Sequence, residues 1–297
     1  MMRICRVPVL ASTNVDRPFA ERYIAYTDWG SLDNPHVVIC VHGLTRNCRD
    51  FDFLAAALED NFRVICVDVV GRGLSSWLTN AENYNQHSLY LSDAMLLIQH
   101  ICNQYQNNVH LYWVGVSMGG LIGMALASQA GLPASIKALV MSDIGPFIPA
   151  NAFARLGAYV GKDPRFTDFD EFKAYLKTIS APFGPLTEKE WHHLAIHSAR
   201  KFSDGTYGFN YDPSVSISFQ KYGAQDLDLW NYWDPLCTPT LVIRGLESDV
   251  LMDDTSEAMK IRGPKANIID LPNVGHAPML INREQIAMVK NFLLELK

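Results

Sequence analysis

Residues 112–123 read YWVGVSMGGLIG, a single serine set among glycines between an apolar β-like run and a helical pattern. Gly115–Gly119 is a G-x-S-x-G pentapeptide with strand VHLYWV before it and helix MGGLIGMALASQ after it, the setting this motif needs to act as a nucleophile elbow. A turn this sharp excludes bulk at Gly115 and Gly119 and holds the Ser117 hydroxyl above the sheet. It also aims the start of the helix, with the backbone N–H of Met118, at any oxyanion formed there. Gly120 and Gly123 then let the helix approach the strand. Taken alone, the stretch equally fits a turn where small residues allow a helix to pack closely on a strand.

Working outward, β-rich runs alternate with helical patterns. His36–Val41, Arg63–Val67, Val109–Val114, Ile136–Met141, Thr240–Arg244 and Asn267–Leu271 read as strands, preceded by an antiparallel entry hairpin near Arg3–Leu10 and Arg22–Thr27. Helical periodicity falls near Arg49–Leu58, His87–Gln104, Met118–Gln129, Asp254–Ile261 and Arg283–Leu294. The pattern predicts an α/β fold with a mostly parallel, eight-stranded sheet flanked by helices. It breaks once, between Pro146 and Pro239. That stretch holds helix-like pieces at Ala150–Val160, Phe169–Ile179, Thr187–Ala199 and Val215–Tyr222, and a hairpin signal at Asp204-Gly205. It is too long for a connection and too aromatic for a linker. Residues 1–145 and 236–297 are therefore assigned to the core and 146–235 to a helical cap over the C-terminal edge of the sheet, where open α/β sheets bind ligands.

Composition narrows the function. The chain has 297 residues, 48% apolar and 19% charged, with net charge −6 and scattered Lys and Arg. Nucleic acid and anionic membranes are not expected partners. The six cysteines form no CxxC pair and several sit in apolar runs, which suits reduced thiols. With no apolar run long enough to span a bilayer and no leader-like N-terminus, the expectation is a cytoplasmic monomer or homodimer acting on a small molecule.

A nucleophilic serine needs a base, and the base an orienting carboxylate. VGHAP places His276 just after the last predicted strand, at the same sheet edge as Ser117. For the acid, LVIRGLESDVL supplies Asp249, favoured by the chain order Ser…Asp…His; Asp143 in LVMSDIGPF is the main rival, with Glu247 and Asp253 weaker. VVICVHGLTRN sets His42-Gly43 after a strand, where the backbone N–H of Leu44 is a second oxyanion donor. VDVVGRGLSS, at Asp68–Ser76, is a glycine-dependent turn; it lacks the third glycine of a dinucleotide fingerprint. His193 and His197 share an i,i+4 helix face, but no acidic or third ligand accompanies them, so no metal site is expected.

With VHG at 41–43, DVVGRGLS at 68–75, GVSMGG at 115–120, SDIGPF at 142–147, RGLESDVL at 244–251 and GHAP at 275–278, the chain resembles the α/β-hydrolase superfamily over nearly its whole length. The resemblance implies Ser117 as nucleophile, His276 as base, Asp249 as acid, the amides of Leu44 and Met118 as oxyanion hole, and no cofactor. Val116 stands where many relatives carry His. The serine disfavours the dehalogenases and epoxide hydrolases of the superfamily, which use Asp at that position. The expected function is hydrolysis of a carboxylic ester, or lactone, of a small to medium apolar acyl group. Phe147, Phe153, Tyr159, Phe183, Trp191 and Trp230, with Trp77 near the core edge, are candidates to line the pocket; Trp77, Phe147 and Trp191 are taken as the substrate contacts. Two alternatives are a carbon–carbon bond hydrolase recognising an anionic substrate through Arg46, Arg155 or Arg200, and a non-catalytic receptor on the same fold.

Overall fold

Strand β3 (His36–Val41) shows why the sheet is covered on both sides. Val37, Ile39 and Val41 are buried in one apolar cluster while Val38 and Cys40 are buried in another. A strand with both faces buried reads as a continuous apolar run, as a parallel strand between two helix layers must. The computed structural model describes residues 2–9, 22–85, 87–106, 108–217, 219 and 225–297. The expected strand end at residue 10, and residues 218 and 220–222 of the expected Val215–Tyr222 helix, lie outside the described residues.

The other strands of the main sheet are β1 (Arg3–Val9), β2 (Arg22–Trp29), β4 (Arg63–Val67), β5 (His110–Val116), β6 (Ile136–Ser142), β11 (Thr240–Gly245) and β12 (Asn267–Leu271). They form eight strands in the order β1-β2-β4-β3-β5-β6-β11-β12. β1 pairs antiparallel with β2 and β2 with β4, and the remaining pairs are parallel. Helices α1 (Asp52–Leu58) and α9 (Arg283–Glu295) bury Leu54, Leu58, Val289 and Leu293 against one face. Helices α2 (His87–Gln104) and α3 (Met118–Ala127) bury Leu97, Ile101, Ile122 and Met124 against the other.

Between β6 and β11 the insertion carries α4 (Ala150–Gly157), α5 (Phe169–Ile179), α6 (Glu188–Ser198) and the short α7 (Trp230–Trp233). Helix α6 starts at a reciprocal cap in which Thr187 and Glu190 satisfy each other's backbone N–H groups. The expected hairpin forms between β8 (Ala199–Lys201) and β9 (Tyr207–Phe209), and Gly205 supplies the turn's positive φ of 90°. The insertion also adds β7 (Phe147–Ile148) and β10 (Leu227–Asp228), which pair with each other. Helix α8 (Asp253–Ile261) follows β11. Because β3, β5, β6, β11 and β12 run parallel, the residues that follow each of them meet at one edge.

Candidate active site

The turn after β5 is strained in the way the sequence required. Ser117 has φ 50° and ψ −116°, outside the regions an L-residue adopts freely, a cost of about 1–3 kcal/mol that the surroundings must hold in place. Its N–H donates to Ser142 O at 3.0 Å. A Cβ at Gly119 would lie 1.9 Å from Val41 O, and one at Gly115 2.2 Å from the Gly119 carbonyl carbon. Farther along α3, a Cβ at Gly123 would lie 2.3 Å from the Trp113 ring, whose Nε1–H donates to Gly119 O.

Ser117 Oγ donates to His276 Nε2 at 2.9 Å. The opposite ring nitrogen, Nδ1, donates to Asp143 Oδ2 at 2.7 Å. Asp143 is fully buried after β6, where its Oδ1 also accepts from Gly245 N (2.9 Å) and its Oδ2 from Ser248 Oγ (2.6 Å). The histidine loop is tied down from both sides: Gly275 N–H donates to Pro182 O of the insertion, and Ser142 Oγ donates to Pro278 O.

The expectation for Asp249 is corrected here, because the carboxylate hydrogen-bonded to His276 is that of Asp143. After β11 the chain turns through Ser248, whose Oγ accepts from Val250 N and Leu251 N. Asp249 is thereby sent toward α4, where Arg155 binds both its oxygens. Burial would raise the Asp249 carboxyl, but the Arg155 guanidinium outweighs it and holds the group below its ordinary range. Among the weaker candidates, Asp253 is bound by Arg244 and Glu247 is exposed.

Leu44 and Met118 belong to the two turns beside the serine. Met118 opens α3, so its N–H has no acceptor within the helix. Leu44 follows Gly43, whose added Cβ would sit 3.7 Å from Ser117 Cβ, so this turn lies directly against the serine. Its shape is fixed by residues the sequence did not single out for the task. Buried His42 donates from Nδ1 to Gly43 O (2.7 Å) and accepts at Nε2 from Val69 N (3.0 Å). Burial pushes its pKa down to about 3, so the ring is neutral and keeps this tautomer. Buried Arg72 donates from Nε to Leu44 O (2.8 Å) and from Nη1 to Val70 O (2.6 Å). Arg72 lies within the glycine turn, where Gly71 and Gly73 adopt φ of 83° and 53°. The turn therefore exists in part to aim an arginine at the Leu44 peptide, a purpose that shows only in three dimensions.

The Ser–His pair stands between two cavities. The larger, about 270 Å³, is mostly apolar; Leu44, Ser117, Met118, Leu121, Phe153 and Phe219 are among its walls. The smaller is polar and is lined by His276, Thr45, Arg46, Arg155, Tyr159 and Ser180, among others. Phe153 lines the larger cavity; Trp77, Phe147 and Trp191 line neither. Trp77 is at the surface with the Arg200 guanidinium 4.8 Å from its ring, Trp191 is buried with its ring stacked 6.4 Å from Phe183, and Phe147 belongs to the small sheet beside Asp228. Arg200 is thereby used at the surface, away from the histidine. Aromatic character alone marked these residues as substrate contacts, and each is engaged elsewhere.

Asp52, on α1, completes a group with His193 and His197 of α6, all three ligand atoms lying within 4.8 Å. The sequence offered no third ligand because Asp52 comes from the core. Arg49 holds both oxygens of Asp52, His193 Nε2–H donates to Arg49 O at 2.9 Å, and the His197 ring meets that of His193 edge-on at 4.6 Å. Among the described residues no cysteine is disulfide-bonded, and no helix is long and apolar enough to cross a membrane.

Residues 36–282 match the family model of the alpha/beta hydrolase fold. The chain belongs to the α/β-hydrolase family. Over 294 residues it is 40% identical to a 3-hydroxybutyrate-oligomer hydrolase of Cupriavidus necator, covering 96% of this chain and 97% of that one. A solved structure of a protein from Rickettsia typhi is 31% identical with TM-score 0.87, over 99% of both chains. An alpha/beta hydrolase of Novosphingobium aromaticivorans is 30% identical with TM-score 0.83, over 100% of both.

Proposed function

We propose that the protein hydrolyses carboxylic esters, and that short linear esters of a hydroxy acid are its substrate class. The observation that carries the reading is the hydrogen-bonded series Ser117–His276–Asp143 opening onto an apolar cavity that Leu44 and Met118 also line. His276 Nε2 takes the Ser117 proton as Oγ attacks the ester carbonyl, and the imidazolium formed is stabilised by Asp143. The amides of Leu44 and Met118 hold the oxyanion, and the apolar cavity holds the acyl chain. His276 then protonates the leaving alkoxide. Water, deprotonated by the same nitrogen, releases the acid from Ser117.

The cap, the part of the chain between Pro146 and Pro239, supplies walls to both cavities, which supports its reading as the substrate-selecting element. The hydroxy-acid class rests on the full-length similarity to the 3-hydroxybutyrate-oligomer hydrolase. The test is a substrate panel of 3-hydroxybutyrate dimer and trimer, p-nitrophenyl acetate to octanoate, and a dienone carboxylic acid, with products followed by chromatography. The expected result is turnover of the oligomers and short aryl esters. Turnover of the dienone acid alone would instead assign carbon–carbon cleavage.

A further inference from the structure

The two cavities differ in chemistry, and the catalytic histidine decides which part of a substrate enters which. Leu44, Met118 and Ser117 line the apolar cavity, so the acyl side of an ester belongs there. The leaving oxygen must lie next to His276 Nε2 to receive its proton. Whatever hangs from that oxygen is directed to the side of His276, where the polar cavity begins.

That cavity is small, about 30 Å³, room for a group of a few heavy atoms rather than for a chain. Two arginines line it. Arg46 is 93% buried, being 7% exposed, and Asp50 accepts from its Nε (2.8 Å) and Nη2 (2.6 Å). Its Nη1 has no hydrogen-bond partner among the described residues. Arg155 reaches in from α4, its side chain 34% exposed, paired with Asp249 and hydrogen-bonded to Tyr159. A buried ion pair is a poor source of stability, because desolvation offsets its attraction. The Arg46 guanidinium also lies over the Phe183 ring, 5.8 Å from the centroid, and an arginine kept in such a pair with Nη1 unpaired is better explained by a planar anion it receives.

We propose that Arg46 and Arg155 form a carboxylate subsite for the leaving group, so that the enzyme cleaves the ester bond adjoining a free carboxylate and releases a hydroxy acid. The proposal rests on the ester-hydrolase reading and deepens it. In an ester of a β-hydroxy acid the carboxylate stands one CH–CH₂ unit beyond the ester oxygen, the short reach from His276 into this cavity. Arg46, anchored by Asp50, supplies a fixed Nη1 donor. Arg155 supplies a second cation, shared with the partly exposed Asp249. The interior ester bonds of a long chain, and a terminal bond whose carboxyl is capped, present no charge to this subsite.

The test compares 3-hydroxybutyrate dimer with its methyl ester, which share one scissile bond and differ by one charge. It uses wild-type protein, Arg155→Gln, and the paired change Arg46→Gln/Asp50→Asn, which leaves no buried charge behind. Binding of free 3-hydroxybutyrate to Ser117→Ala is measured by calorimetry alongside, with and without Arg155→Gln. A charge-assisted hydrogen bond to a desolvated guanidinium predicts that wild-type kcat/KM favours the free acid by about tenfold or more. The same argument predicts that the ratio falls to about one in the variants and that Arg155→Gln weakens 3-hydroxybutyrate binding by about tenfold. Equal rates on acid and methyl ester, or a ratio the variants do not move, overturns the subsite and leaves the esterase reading standing. No turnover of either compound, with Arg155-dependent binding intact, overturns the esterase reading and keeps the subsite. Failure of both measurements removes both.

Discussion

His276 donates its Nδ1–H to Asp143 Oδ2 at 2.7 Å, while Asp249, the acid suggested by chain order, is bound by Arg155. The two carboxylates follow neighbouring strands, β6 and β11, so either loop reaches the same sheet edge. What separates them is local chemistry: Gly245 N–H and Ser248 Oγ–H both donate to Asp143 and orient it toward the ring. Replacing Asp143 by Asn removes the charge and turns one of its two acceptor oxygens into a donor, which disfavours the required His276 tautomer, so kcat on p-nitrophenyl butyrate falls by roughly 10³–10⁴. Asp249→Asn lowers it by less than about tenfold, since only a neighbouring ion pair changes. Steady-state kinetics of the two variants, side by side, distinguish the assignments; the reverse order of damage contradicts this one.

Arg72 holds the Leu44 peptide by its carbonyl, and the N–H of that residue is the proposed oxyanion donor. Arg72→Met keeps much of the volume and loses this bond. Misplacing one oxyanion donor predicts a loss in kcat of about 10²–10³ with KM nearly unchanged. A rise in KM alone would mean that the loop contributes binding and not transition-state stabilisation.

His42 imposes a sign on the pH dependence of stability. Its folded pKa, pushed down to about 3 from 6.5 by burial, lies below its unfolded value, so the unfolded chain binds more protons between those limits. Stability from this group is present above pH 6.5 and lost as pH falls toward 3. Buried Asp68, raised to about 6 from 3.8 by burial, works in the opposite direction and gains stability as pH falls through 6. The two partly cancel in the wild type, so the readout is a difference: the stability advantage of wild type over His42→Asn shrinks by roughly 2 kcal/mol from pH 6.5 to 5. Urea unfolding at both pH values measures it, and a gap independent of pH would show that His42 is not held neutral.

Gly119 has no room for a side chain, because a Cβ would stand 1.9 Å from Val41 O and 2.5 Å from Val41 C, both backbone atoms that cannot swing aside. Gly119→Ala forces α3 away from β3 and destabilises the fold by about 3 kcal/mol or more, as overpacked cores do. Chemical denaturation reports the loss. A near-neutral result would mean that the elbow is looser than its geometry.

The apolar cavity should read acyl length. Each methylene buried there adds about 0.8 kcal/mol, so kcat/KM rises about threefold to fourfold per carbon until the volume is filled. Ala125→Trp, which projects into that cavity, shortens the series while sparing acetate. An unchanged length profile would place the acyl chain elsewhere.

Much of this was legible in the sequence because parallel strands, glycine-flanked turns and the serine elbow are dictated by local chemistry. Helices α2 and α5 begin and end where their periodicity places them, and Gly115, Gly119 and Gly123 lie where only a missing Cβ fits. The acid was not legible, since Asp143 and Asp249 are separated by side-chain hydrogen bonds that no spacing encodes. Trp77, Phe147 and Trp191 were misread for the same reason: an aromatic ring states a preference for apolar surroundings, not which ones. His42 carried a signal only as a polar residue at the end of an apolar strand, and Arg72 only as the residue between two glycines of a turn. Asp52 met His193 and His197 from a part of the chain no motif connects to them.

The central claim is that Ser117 is the nucleophile of an acyl-enzyme. Its most direct measurement is intact-mass analysis of the protein treated with a fluorophosphonate, paired with turnover of 3-hydroxybutyrate dimer by wild type and Ser117→Ala. The account predicts one adduct per chain, located on Ser117, and a loss of turnover by Ser117→Ala of at least about 10³-fold. Undiminished turnover by Ser117→Ala would contradict it.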